Sequence, residues 1–69
     1  MRKVVGWNVR QARLRAGLTQ EQFAEQSGYA QQYISGLENG RRNPTVVTVY
    51  ELATALGVAP ADLLRPDFA

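Results

Sequence analysis

The residues of this chain best equipped for chemistry are amides and guanidinium groups, and their spacing shows where they would act. In the stretch from Ser27 to Gly40, SGYAQQYISGLENG, the apolar residues Ala30, Tyr33, Ile34 and Leu37 recur with helical spacing. At about 100° per residue with Ala30 as origin, Leu37 falls near −20°, Ile34 near +40° and Tyr33 near −60°. Gln32, Ser35, Gly36 and Asn39 lie between about 140° and 240°, with Gln31 on the flank near 100°. The outward face is therefore uncharged, short and rich in groups that both donate and accept hydrogen bonds, where a solvated helix usually carries Lys and Glu. Taken alone, a pair of adjacent glutamines favours an ordinary polar surface. The same face also suits the major groove of a nucleic acid, because an amide side chain can form two hydrogen bonds to N7 and N6 of adenine.

What the composition lacks narrows the alternatives. With no cysteine and no histidine there is no disulfide, no thiolate zinc site, no thiol nucleophile and no imidazole base. Clustered carboxylates and a phosphate-cradling glycine loop are also missing, so the expectation is a binding protein without enzymatic activity, cofactor, metal or small-molecule ligand. Sixty-nine residues make one domain, 1–69, with a stability margin of roughly 3–5 kcal/mol. No apolar run approaches the roughly 20 residues that span a bilayer, and MRKVVGWNVR does not read as a secretory signal, which points to a cytoplasmic protein without a membrane partner. The formal net charge of +2 is weak evidence for a polyanionic partner. Its distribution says more: Arg2, Lys3, Arg10, Arg13 and Arg15 crowd the first fifteen residues without an acid, and Arg41 and Arg42 form a second basic point.

These residues need elements to position them. Gly17, Gly28, Gly40 with Asn43-Pro44, and Gly57 with Pro60 divide the chain into five short helical segments, and no strand pattern is present. The first runs from about Val4 to Ala16, with Val5, Val9, Ala12 and Ala16 on one face. The second begins at Thr19, whose hydroxyl caps while Gln22 reaches back, and turns Phe23 and Ala24 inward before Gly28 stops it. The third is the quoted helix. The fourth, capped by Thr45, buries Val46, Val49, Leu52, Ala53 and Leu56 and ends at Gly57. The fifth is one or two turns, with Pro60 first and Leu63 and Leu64 turned inward. Between the second and third helices lie only Ser27, Gly28, Tyr29 and Ala30, the short glycine-containing turn of a helix-turn-helix.

From Gly17 to Leu64 the chain, GLTQEQFAEQSGYAQQYISGLENGRRNPTVVTVYELATALGVAPADLL, resembles the helix-turn-helix domain of the lambdoid phage repressors and Cro proteins, and the likeness continues upstream into VGWNVRQARLRA. The stretch I-S-x-L-E-N-G followed by a basic residue and N-P carries it most strongly. The resemblance implies an all-α, compact five-helix domain that binds double-stranded DNA. It implies that Gln31, Gln32 and Gly36 read bases, with Ser35 beside them on the same face. Gln20 would hold a phosphate and brace the reading helix, and Asn39, Gly40 and Arg41 would grip phosphate through side chains and backbone amides. Arg42 belongs with them by position, and Tyr33 turns its ring to the core with its hydroxyl free to meet a phosphate. Arg13 would pair with Glu38, which phase places at the edge of the buried stripe. Ala30 and Ala59 stand where the family commonly has a capping Ser or Thr, and Gly36 where it commonly has a long polar side chain.

Two sets of apolar residues point away from the main core. Val47, Tyr50, Leu64 and Phe68 suit a two-fold interface, giving a homodimer on a palindromic operator. Trp7 and Leu14 lie about 180–200° from Val5 on the first helix, either as local packing or as a surface for a protein partner. The latter would make the chain an antitoxin-like or interaction module that keeps the same fold.

Overall fold

The computed structural model describes residues 1–68. They form α1 (Arg2–Arg15), α2 (Gln20–Ser27), α3 (Gln31–Glu38) and α4 (Val46–Leu56), followed by a 3-10 helix (Pro60–Leu64), with no strand among the described residues. The architecture thus has four α-helices instead of the five expected.

Local chemistry accounts for the helix ends. Thr19 forms a complete capping box: its hydroxyl accepts from the Gln22 N–H at 3.0 Å while its own N–H donates to the Gln22 side chain at 2.9 Å. Thr45 likewise accepts from the Thr48 N–H at 3.1 Å. Gly28 closes α2 at φ 81°, in the left-handed region that an L side chain disfavours. α3 starts at Ala30 with no side-chain cap.

The 3-10 geometry of the last element has a physical cause. The element is only five residues long, Pro60–Leu64, and its hydrogen bonding runs three residues back, from the Asp62 N–H to the Ala59 carbonyl at 2.9 Å. The carbonyls of Leu63 and Arg65 accept from Nδ2 of Asn8 on α1, at 3.0 and 2.7 Å. That amide is buried and clamps the turn onto α1. The Asp62 carboxylate, for its part, accepts from the Ala59 N–H at 3.2 Å, the half of a capping box that does not need a polar side chain at position 59.

Val5, Val9 and Ala12 of α1, Phe23 of α2, Ile34 and Leu37 of α3, Val49, Leu52, Ala53 and Leu56 of α4, and Leu63 form one core. Several inward assignments fail at element ends. Ala16, Ala30 and Val46 are exposed, because each lies at or beyond the first or last turn, where the stripe runs off the packed region. Leu64 is 42% exposed, since the 3-10 period turns Leu63 inward in its place. No helix among the described residues is long and apolar enough to cross a membrane.

Candidate nucleic-acid interface

α3 is anchored to two neighbouring helices through its C-terminal half. α1 approaches it so closely that a Cβ at Gly6 would collide with the Leu37 carbonyl oxygen, a backbone atom that cannot step aside. Glu38, at the C-terminal end of α3, receives Arg13 Nε at 2.7 Å and Arg13 Nη2 at 3.0 Å, a bidentate pair. Gln20 Nε2 adds a third donor to the same carboxylate at 3.0 Å, and Arg13 Nη1 reaches the Leu18 carbonyl at 2.9 Å. The two paired side chains are only 9% and 3% exposed. One carboxylate thereby ties α3 to both α1 and α2, and Gln20 acts as a brace.

Beyond α3 the chain folds back on the helix. The N–H groups of Asn39, Gly40 and Arg41 donate to the carbonyls of Ser35, Leu37 and Gly36 at 3.1, 3.0 and 2.8 Å. Asn39 Nδ2 also donates to the Ser35 carbonyl, at 2.9 Å. These amides are engaged in completing the helix terminus, while the side chains of Asn39 and Arg41 lie on the exposed surface. Gly40 serves as the turn itself, at φ 74° and packed over Lys3.

The outward face of α3 opens onto a depression of about 520 Å3 lined by Gln20, Gln31, Gln32, Ser35, Gly36, Arg41 and Arg42. Gln31 and Gln32 are exposed, and Ser35 and Gly36 are half-buried. Two guanidinium groups and no carboxylate line the depression, which gives it a positive field suited to an anionic partner. Tyr33 packs its ring against the core and stacks on Tyr29 at 5.3 Å between centroids. Arg42 also lies over the Tyr33 ring, its guanidinium carbon 5.5 Å from the centroid.

Tyr29, which periodicity did not single out, links the site to α4. Its hydroxyl donates to the Glu51 carboxylate at 2.5 Å and lies 3.2 Å from the Thr48 hydroxyl. The bond to Glu51 pushes the Tyr29 ionisation above its ordinary value of 10. Gly6 and Asn8 were likewise not singled out; each acts on a partner at least thirty residues away in sequence, beyond the reach of any local pattern.

The second apolar set is divided. Val47, Tyr50 and Leu64 are 64%, 59% and 42% exposed, and Tyr50 and Leu64 border an apolar groove of about 320 Å3 between the start of α1, Pro44, α4 and Pro60. Phe68 is half-buried against the core, with the Arg15 and Arg65 guanidinium carbons 5.2 and 5.8 Å from its ring centroid. It is covered from within the chain, toward the C-terminal end of α1 and apart from that groove. Trp7 and Leu14 are exposed on the outer side of α1.

Comparison with known proteins agrees with this architecture. Residues 9–63 match the HTH_3 helix-turn-helix family. An uncharacterized HTH-type transcriptional regulator, y4dJ, of Sinorhizobium fredii is 58% identical over 66 residues, 96% of this chain and 86% of that protein. The restriction-modification controller protein C.AhdI from Aeromonas hydrophila superposes with a TM-score of 0.85 at 39% identity, covering 90% of this chain and 94% of that one. SinR, a master regulator for biofilm formation solved in complex with DNA, superposes at 0.84 with 27% identity, covering 88% of this chain and 98% of that one. The capped helix-turn-helix, the anchored third helix and these matches together show that the chain belongs to the HTH_3 helix-turn-helix family of Cro/C1-type repressor-like regulators.

Proposed function

We propose that this protein is a sequence-specific regulator of transcription that binds double-stranded DNA, reading the major groove with α3 as a homodimer on a palindromic operator in the cytoplasm. The observation that carries the proposal is an outward α3 face bearing Gln31, Gln32 and Ser35, uncharged, open and flanked by two arginines without a carboxylate. Amides and a hydroxyl match base edges, while the positive charge beside them attracts the polyanion. Relatives named as transcriptional regulators and controller proteins, and one seen on DNA, support the same role.

In this reading Gln31, Gln32 and Ser35 test bases, while Asn39 and Arg41 contact phosphates through their side chains. Gln20 supports the reading helix through Glu38 and has the second N–H of its amide for a phosphate. Titrating labelled cognate and random duplexes with two variants tests the division of roles. Gln32→Ala costs about 1–3 kcal/mol on the cognate site and little on random DNA. Arg41→Ala weakens both and lowers the salt slope by about one. Equal losses on both duplexes for both variants would refute the assignment. A protein-binding role for the exposed Trp7 and Leu14 on the outer side of α1 is compatible with this function, because that side lies away from the core contacts of α1 and outside the depression.

A further inference from the structure

We propose that Arg42 is a base-reading residue, presented in the space a side chain at position 36 would otherwise fill, and that it recognises guanine. This rests on the DNA-binding reading above and adds a specificity determinant to it. Position 36 has no side chain, yet the space beside it is not empty. A Cβ built on Gly36 would stand 3.2 Å from Arg42 Nε and 3.3 Å from Arg42 Cγ, so the Arg42 stem runs directly along the α3 backbone at that point.

Three contacts hold it there. The Arg41 N–H bond to the Gly36 carbonyl, at 2.8 Å, fixes the backbone immediately before Arg42. The Tyr33 ring supports the guanidinium from below, at 5.5 Å. Tyr29 stacks on Tyr33 in turn, with 26° between the planes, and its hydroxyl is tied to Glu51 of α4. An arginine on a two-ring platform is more ordered than one extended into solvent, and it borders the same depression as Gln31, Gln32 and Ser35.

The chemistry selects the base. A planar guanidinium presents parallel N–H donors that match O6 and N7 of guanine, whereas the neighbouring amides match adenine. A phosphate contact needs only positive charge near the strand; a bidentate base contact needs the fork. Lysine therefore separates the two roles.

The test is selection of bound sequences from a random duplex library by wild type, Arg42→Lys, Arg42→Ala and Gly36→Gln, followed by titration of the enriched duplex and its single-base variants. Circular dichroism checks that each variant is folded; Gly36→Gln also replaces a weak helix former with a better one. Wild type is expected to enrich a guanine in each half-site. All three variants then lose discrimination at that guanine by roughly 5- to 150-fold and keep their preferences elsewhere. Arg42→Lys retaining the full motif, with Arg42→Ala weakening every sequence uniformly and flattening the salt dependence, would overturn the proposal and make Arg42 a phosphate contact. No enriched motif for wild type would overturn the regulator reading itself, and this proposal with it.

Discussion

At the residue scale, Glu38 joins three helices, because three donors from two other helices converge on its carboxylate. Removing one member leaves a buried charge unpaired, which costs about 3–5 kcal/mol. That equals the whole margin expected of a domain this size, so Arg13→Ala is expected to be largely unfolded at 25 °C by circular dichroism and urea titration. A variant that unfolds with wild-type midpoint would show that the pair contributes nothing. Gly6 makes a second residue-scale prediction. In an exposed helix Gly→Ala would gain about 1 kcal/mol of propensity, but here the new methyl meets the Leu37 backbone oxygen. Gly6→Ala therefore destabilises, by about 1–3 kcal/mol or more, as α1 and α3 are forced apart.

At the element scale, α3 is the one α-helix joined directly to another by a short turn whose N-cap, Ala30, cannot accept a hydrogen bond from its first turn. Ala30 is exposed and already has the extended conformation of a cap, φ −65° and ψ 144°. Ala30→Ser is accordingly expected to stabilise the protein by about 0.5–2 kcal/mol, read as a rise in Tm of about 4–8 °C per kcal/mol. An unchanged Tm would mean that α3 is held entirely by its far end. Much of this element was legible from periodicity and capping chemistry: Ile34 and Leu37 inward, Gln31 and Gln32 outward, Thr19 and Thr45 at the starts of α2 and α4. Periodicity failed where a stripe outlasts the surface it packs on, as at Ala16, Ala30 and Val46. It was silent on Gly6 and Asn8, whose roles depend on which distant backbone comes to rest beside them. The destination of the amides of Asn39, Gly40 and Arg41 was equally hidden, because only the folded-back chain shows that α3 itself takes them.

At the scale of the whole molecule, the proposed two-fold arrangement sets a geometric requirement. The domain measures 26 × 22 × 19 Å, so half-sites about 34 Å apart would each take one copy. Val47, Tyr50 and Leu64 supply exposed apolar surface next to a groove that Phe68 does not enter. Tyr50→Glu is expected to yield monomers in sedimentation runs at high micromolar concentration and to weaken operator binding while leaving the helical signal intact. Phe68→Ala, by contrast, is expected to lower stability without changing the sedimentation behaviour of wild type, since that ring packs against its own chain. A wild type that sediments as a monomer with and without DNA would remove the two-fold arrangement.

The central claim, that α3 reads base edges in the major groove, is tested most directly by replacing purines of a selected operator with their 7-deaza analogues. These lose the N7 acceptor and leave the minor groove and backbone untouched. Wild type is expected to lose affinity at specific half-site purines, and Gln32→Ala to be insensitive at one or more of those same positions. Unchanged binding to every 7-deaza duplex, or identical losses for wild type and Gln32→Ala at all of them, would contradict it.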